Sequence, residues 1–342
     1  MEKEPTPLDQ LGEFGLIDRI KEKVELQHEQ SLLGIGDDAA VIKTTEDLTV
    51  VSADMLVEGV HFDLLYTPLK HLGYKSVIVN LSDIYAMNAI PKQILISLAV
   101  SNRMSVEAID EIYEGIHLAC KYYGVDLIGG DTTSSLSGTN INITAIGEVS
   151  QKSIVRRDGA KENDLICVSG DLGAAFMGLQ ILEREKRVFS ENEKIQPDLS
   201  GKDYILERQL KPEARKDIIE TLKELNIVPS SMIDISDGLS SELLHLSKAS
   251  GVGVQIYEDK IPLDAMTISA AEEMNLNPIL AALNGGEDYE LLFTVDIQHH
   301  NKLKELEGIS IIGHVTDLAS GNQMVASGSE QLIELKAQGW EH

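Results

Sequence analysis

Strand-length apolar runs alternate with helical-period stretches along the whole chain, and the pattern restarts near residue 150. Few architectures accept such an alternation: it calls for mixed α/β sheets with helices in the connections. In the first half, Leu16, Ile17, Ile20 and Val24 sit at helical spacing, so an opening helix is expected over 8–27. Strands are expected at 39–42 and 48–53, a helix over 68–88 with Pro68 in its first turn, and a strand at 94–100. A helix over 106–123 and strands at 125–128 and 140–149 follow. In the second half, strands are expected at 164–169, 230–235, 291–295 and 309–315. Helices are expected at 173–185, from Pro212 as the opening residue, and at 239–249. The charged stretch 183–203 reads as a surface insertion. With 342 residues, two domains are expected, 1–150 and 151–342.

Charge narrows the partners. The chain carries 29 Lys and Arg against 56 Asp and Glu, a net charge of −27. Such a surface repels nucleic acid and anionic membranes, so neither is an expected partner, and any phosphate chemistry must bring cations with it. The two cysteines, Cys120 and Cys167, lie in apolar stretches and make neither a disulfide framework nor a CxxC zinc motif. The segment 1–7 is polar without an apolar h-region, and no apolar run approaches a membrane span, so a cytoplasmic location is expected.

Gly34-Ile35-Gly36-Asp37-Asp38-Ala39 matches GxGxxG/A in form only. A dinucleotide fingerprint needs a strand before it and a helix after it; here the order is reversed, and two carboxylates stand where a pyrophosphate would approach. Gly73-Tyr74-Lys75-Ser76 lacks the glycine loop of a Walker A element, and no GxSxG elbow occurs.

What remains is a scatter of carboxylates at turns and at the ends of apolar strands: Asp37, Asp38, Asp54, Asp131, Asp234, Asp237, Glu287 and Asp288. Singly, each reads as a turn residue or helix cap. Asp83 is different, because it lies inside the apolar helical run from Val77, where a carboxylate is expensive unless paired or metal-bound. Collected in one crevice, these groups would repel one another unless divalent cations neutralised them, and oxygen-only donors favour Mg²⁺. Arg156 reads as a solvated loop residue. His61 has no metal-spaced partner and reads either as a hydrogen-bonded structural histidine or as a site residue.

Long segments of the chain resemble one family. They are Gly34–Val41, Ser52–Phe62, Asn80–Ala89, Gly129-Gly130-Asp131-Thr132-Thr133, Arg157-Asp158-Gly159-Ala160-Lys161, Ile233–Leu239 and Gly285–Leu291. In this order they are similar to the signatures of the thiamine-monophosphate kinases, within the aminoimidazole ribonucleotide synthetase superfamily. The likeness runs from about residue 11 to Trp340. It implies a two-domain α/β fold, with an N-terminal domain that binds ATP and magnesium and forms a dimer sheet or barrel. A C-terminal α/β sandwich would complete the nucleotide and substrate site.

By the same resemblance, Asp37, Ser52, Ala53, Asp54, Asp83, Asp131, Asp234 and Asp237 correspond to metal positions. Ala53 stands where many members have Thr, so its contact can only be through the backbone. Gly130, Asp131, Arg157 and Ser236 correspond to ATP contacts, and His61, Glu287 and Trp340 to substrate contacts. The implied reaction moves the γ-phosphoryl group of ATP onto thiamine monophosphate, giving thiamine diphosphate, with several Mg²⁺ ions per site, in a homodimer. No residue is expected to serve as general base. Two alternatives stand beside it: another ATP-dependent enzyme of the superfamily, or a non-catalytic metal or nucleotide sensor. Selenophosphate synthetases need a reactive Cys or selenocysteine near the N-terminus and hydrogenase-maturation proteins a C-terminal Cys, whereas Cys occurs here only at 120 and 167.

Overall fold

The computed structural model describes residues 19–33, 41–43, 46–101, 103–191, 197–329 and 331–337. They divide into two compact units. One holds the residues up to Ile84 together with Ala89–Lys152; the other holds Tyr85–Asn88 and the residues from Ser153 on.

In the first unit, β1 (Ser31–Leu33) and β2 (Val41–Ile42) form a small antiparallel pair. A four-stranded sheet follows from β3 (Leu48–Val57), α1 (Leu69–Ala86), β4 (Ile90–Ser101), α2 (Val106–Tyr123), β5 (Asp126–Ser135) and β6 (Asn140–Val149). Its order is β3-β6-β4-β5; β4 and β5 are parallel, as the α2 crossover requires, and the other pairs are antiparallel. Ser105 caps α2 by accepting the Ala108 N–H, and Gly124 ends it at φ +69°.

Helix α1 is apolar almost all round, with Leu72, Val77, Ile78, Leu81 and Ile84 buried, as befits a core helix. Gly73 lies against the Ile112 backbone and Gly115 against the backbone of Lys70 and Tyr74, so α1 and α2 touch main chain to main chain. Period-two alternation sorts the sheet's faces. Leu56, Ile94, Ile96, Leu98, Ile141, Ile143 and Ala145 are buried, whereas Val51 and Met55 on the other face are 60% and 53% exposed. The sheet is open; among the described residues it closes no barrel.

The second unit contains β7 (Leu165–Ser169), α3 (Ala174–Glu191), α4 (Asp203–Leu210), α5 (Lys216–Glu224), β8 (Ser231–Asp234) and α6 (Leu239–Ser250). Then come β9 (Gly253–Tyr257), α7 (Ala265–Glu273), α8 (Pro278–Asn284), β10 (Leu291–Val295), α9 (His300–Leu303), β11 (Ile309–Thr316), β12 (Asn322–Val325) and β13 (Leu332–Glu334). The strands build a seven-stranded mixed sheet in the order β13-β12-β9-β11-β7-β10-β8. Its central strands β7 and β10 are buried at every position, which explains their unbroken apolar sequences.

Several expectations need correction. Asp54 and Asp131 do not end strands: β3 runs on to Val57 and β5 to Ser135, because each keeps a ladder partner beyond the carboxylate. Pro212 opens no helix; it lies in the connection between α4 and α5. In the stretch 183–203, α3 continues to Glu191, and the buried Glu185 accepts the Asp198 N–H at 3.0 Å, so part of it is structural. Of the expected opening helix, only residues 19–21 are described as helical. Among the described residues, no helix is long and apolar enough to cross a membrane.

Candidate active site

In the first unit the site grows from one strand face and one helix. Alternation along β3 puts Ser52 and Asp54 on the face of the buried Leu56. Helix α1 presents Asn80 and Asp83, three residues apart and so neighbours on its surface. Asn80 Oδ1 accepts the Asp54 backbone N–H at 3.0 Å, which covers the edge of β3, and the Ser52 hydroxyl donates to Asp83 Oδ2. Burial, then the Asp83 charge, pushes the Asp54 carboxyl up to about 7. The donor set is all oxygen, half-buried and mutually repulsive when ionised, and a hard divalent cation suits such a set.

Within the first unit, Asp131 and Ala53 lie on the other face of the sheet. Asp131 stands opposite Ser97 in the β4–β5 register, and Ser97 stands opposite Asn142. That row belongs to the open face of the sheet, whereas Asp54 is opposite Ile143 on the covered face. Ala53 is on the open face too, opposite Thr144. Among the described residues, no group of three His, Cys, Asp or Glu forms a metal cage. Asp37 and Trp340 lie outside the described residues. Gly130 packs so closely on the Ile96 carbonyl that no Cβ would fit there. His61 is half-buried in the turn after β3, where its Nδ1 accepts the Val57 N–H at 3.0 Å. A neutral ring in that place carries its proton on Nε2.

In the second unit, Asp234 is the buried last residue of β8, as expected. The chain then turns through the exposed Ser236 into α6, with Gly238 at φ +112° before the helix. The segment 285–290 clasps this turn. The Glu287 N–H donates to Ser236 O at 2.7 Å and the Tyr289 N–H to Ile235 O at 2.9 Å. A side chain at Gly286 would strike Ser236 O, so that glycine is required for the close approach. Glu242 on α6 accepts the Asp237 N–H at 3.2 Å, and burial pushes its carboxyl up to about 8, with Asp237 and Asp234 adding repulsion.

Glu287 is half-buried and accepts a hydrogen bond from Gln209 at 2.8 Å. Asp288 accepts the N–H groups of Gly173 and Ala175 around the start of α3 and is pushed up to about 7, chiefly by burial. Arg157 is exposed, and its carbonyl accepts the Ser250 hydroxyl at 2.9 Å; Arg156 pairs with Asp158 on the surface, as a solvated residue should. Asn80, Glu242 and Gln209 were not singled out from sequence. Only Asn80 left a signal there, its three-residue spacing from Asp83.

Comparison with known proteins fits this arrangement. Residues 36–149 match the AIR synthase related protein N-terminal domain, and residues 161–324 match the AIR synthase related protein C-terminal domain. Fold and site together thus define a two-domain protein of the AIR synthase-related class. The thiamine-monophosphate kinase of Aquifex aeolicus is 35% identical over 90% of this chain and 96% of its own length. A crystal structure of thiamine-monophosphate kinase from Stenotrophomonas maltophilia K279a superposes with a TM-score of 0.78 at 31% identity, covering 94% of this chain and 98% of that one. A structure of AaThiL complexed with AMPPCP and TMP superposes with a TM-score of 0.74 at 33% identity, covering 99% and 100%. The chain belongs to the thiamine-monophosphate kinase family.

Proposed function

We infer that the chain transfers the γ-phosphoryl group of ATP to the phosphate of thiamine monophosphate, giving thiamine diphosphate, in the cytoplasm. The observation that carries this reading is the near full-length match to AaThiL complexed with AMPPCP and TMP, a non-hydrolysable ATP analogue together with a phosphate acceptor. The acceptor's second pKa is near ~6, so it is largely ionised at neutral pH and needs no general base. The task left to the protein is to align two polyanions inside a chain of net charge −27.

Ser52, Asp54 and Asp83 would hold Mg²⁺. The family correspondence adds Asp37, the Ala53 backbone, Asp131, Asp234 and Asp237. When bound, Mg²⁺ neutralises phosphate charge and stabilises the transferring group. The remaining roles fall to the chain's own groups. The exposed Arg157 guanidinium suits a phosphate contact. Ser236 offers a hydroxyl from a turn held by the 285–290 clasp, and the family correspondence adds Gly130 as a nucleotide contact. By the family correspondence His61, held through Nδ1, meets the thiamine moiety together with Glu287 and Trp340. Transfer is direct and in line, without a phosphoenzyme. Incubating the protein with ATP, Mg²⁺ and thiamine monophosphate, and separating products by chromatography, tests the reading. Thiamine diphosphate should form in step with ADP and stop on chelation with EDTA; ADP release without thiamine diphosphate would refute it.

The open face of the first sheet supports a homodimer. Val51 and Met55 are exposed apolar residues on the edge strand β3, and an open apolar strand needs a cover. A second copy supplies it, and the barrel implied by the family would close between two chains. Light scattering should give twice the chain mass at micromolar concentration, and Met55→Glu should give the single mass. A monomeric wild type would remove the proposal.

A further inference from the structure

Three carboxylates in one turn sit in three different settings. Glu290 is fully buried and meets Arg208 at 2.8 Å, Arg215 at 2.6 Å and the Ser169 hydroxyl. Asp288, also fully buried, is occupied by backbone N–H groups around the start of α3. Glu287 alone of the three is only half-buried. Its backbone is fixed at φ +59° by the bond to Ser236 O, so the chain direction at this residue is set by the clasp. Its side chain is held by Gln209 Nε2, which donates to Oε2 at 2.8 Å from a position that is itself 95% buried.

Gln209 follows Arg208 on α4, and the two neighbours divide the turn between them. Arg208 anchors Glu290 and also donates to Asp171 O at 3.0 Å, which locks the helix in place. Gln209 reaches Glu287 from that locked helix. An amide carries no charge, so it orients the carboxylate without adding one of its own.

We propose that Gln209 is a positioning residue for the phosphate acceptor: it fixes the rotation of the Glu287 carboxylate presented to the thiamine moiety. The proposal rests on the reading that Glu287 contacts thiamine monophosphate. It makes the Gln209 side chain matter to the acceptor and not to ATP.

The test is steady-state kinetics on the full chain with both substrates varied. Gln209→Met keeps the volume and loses the donor. KM for thiamine monophosphate should rise about tenfold, the usual scale for a hydrogen bond to a charged group, with kcat and KM for ATP within about twofold. Gln209→Glu gives a second and independent readout. Its carboxylate would face that of Glu287 and repel it, so KM for thiamine monophosphate should rise further than in Gln209→Met, again with KM for ATP within about twofold.

If the wild type makes thiamine diphosphate and both variants keep its KM for thiamine monophosphate, the Gln209 assignment alone is overturned. A rise shared equally by ATP and thiamine monophosphate overturns it too, because that is the mark of a merely structural residue. A wild type that leaves thiamine monophosphate unphosphorylated removes the reading and the proposal together. Should Gln209→Met fail to fold, Gln209→Glu decides through the same split between the two KM values.

Discussion

Asp54→Asn and Asp83→Asn should each lower kcat/KM by about a hundred- to a thousandfold, the scale of losing an electrostatic contact to a transferring phosphoryl group. Neither should unfold the protein. In Asp54→Asn the shape is kept, the Asn80 bond to the residue 54 backbone is untouched, and one of two repelling charges goes. The metal-free variant should even melt a few degrees higher than wild type at pH 8. The Asp54 carboxyl is held up at about 7, above its unfolded value of about 3.9, so ionising it disfavours the fold. That penalty is absent below pH ~4, grows as pH rises toward 7 and is complete above it. The gap between variant and wild type should therefore be wide at pH 8 and narrow at pH 5. Calorimetry in EDTA at both pH values measures it. Wild-type turnover in both variants would end the metal-site reading. An equal melting difference at the two pH values would end the electrostatic account of it.

Asp83 was legible in the sequence because its signal is local: a carboxylate inside an apolar helix must have a partner, and Ser52 and Asp54 are there. Asp54 and Asp131 were half legible. Both stood out as carboxylates beside apolar runs, but both were placed at strand ends, and both strands continue. Ladder pairing is a long-range property, and the apolar run Met55-Leu56-Val57 does not declare its partner Asn140-Ile141-Asn142. Nor does sequence declare a face. The register puts Asp54 opposite Ile143 on the covered side and Asp131 opposite Ser97 on the open side, a difference that parity alone cannot fix across separate strands. The short strands β9, β12 and β13 escaped notice because they lie in mixed polar sequence and gain their order from neighbours in the sheet. Arg208, Gln209 and Arg215 had no motif at all. Their partners are about eighty residues away in sequence, and only the fold brings them to the 285–290 turn.

Those arginines make Glu290 the most consequential buried charge of the second unit. Glu290→Gln should destabilise the protein by about 3–5 kcal/mol, because it takes the shared buried carboxylate from two guanidinium groups that are only 14% and 15% exposed, leaving Arg208 with Asp288 at 3.9 Å and Arg215 with the exposed Asp217. At roughly 2–4 °C per kcal/mol this is a fall in Tm of about 10 °C. The exposed pair Arg156–Asp158 is the internal control. Both side chains are about half-exposed or more, so Arg156→Ala should move stability by less than about 1 kcal/mol. Replacing the triad as a whole, with Arg208→Met, Arg215→Met and Glu290→Leu together, should recover much of the loss, since it removes the stranded charges instead of separating them. Activity then divides the effects further. Arg208 fixes the helix that carries Gln209, so Glu290→Gln should also raise KM for thiamine monophosphate, measured well below its lowered Tm, by more than it raises KM for ATP. The apolar triad should keep that kinetic defect even where it regains stability, because packing can replace the buried charges but not the bond that aims α4. A Glu290→Gln variant melting within about 1 °C of wild type would show that the two arginines find other partners, and the anchoring role assigned to this network would fall with it.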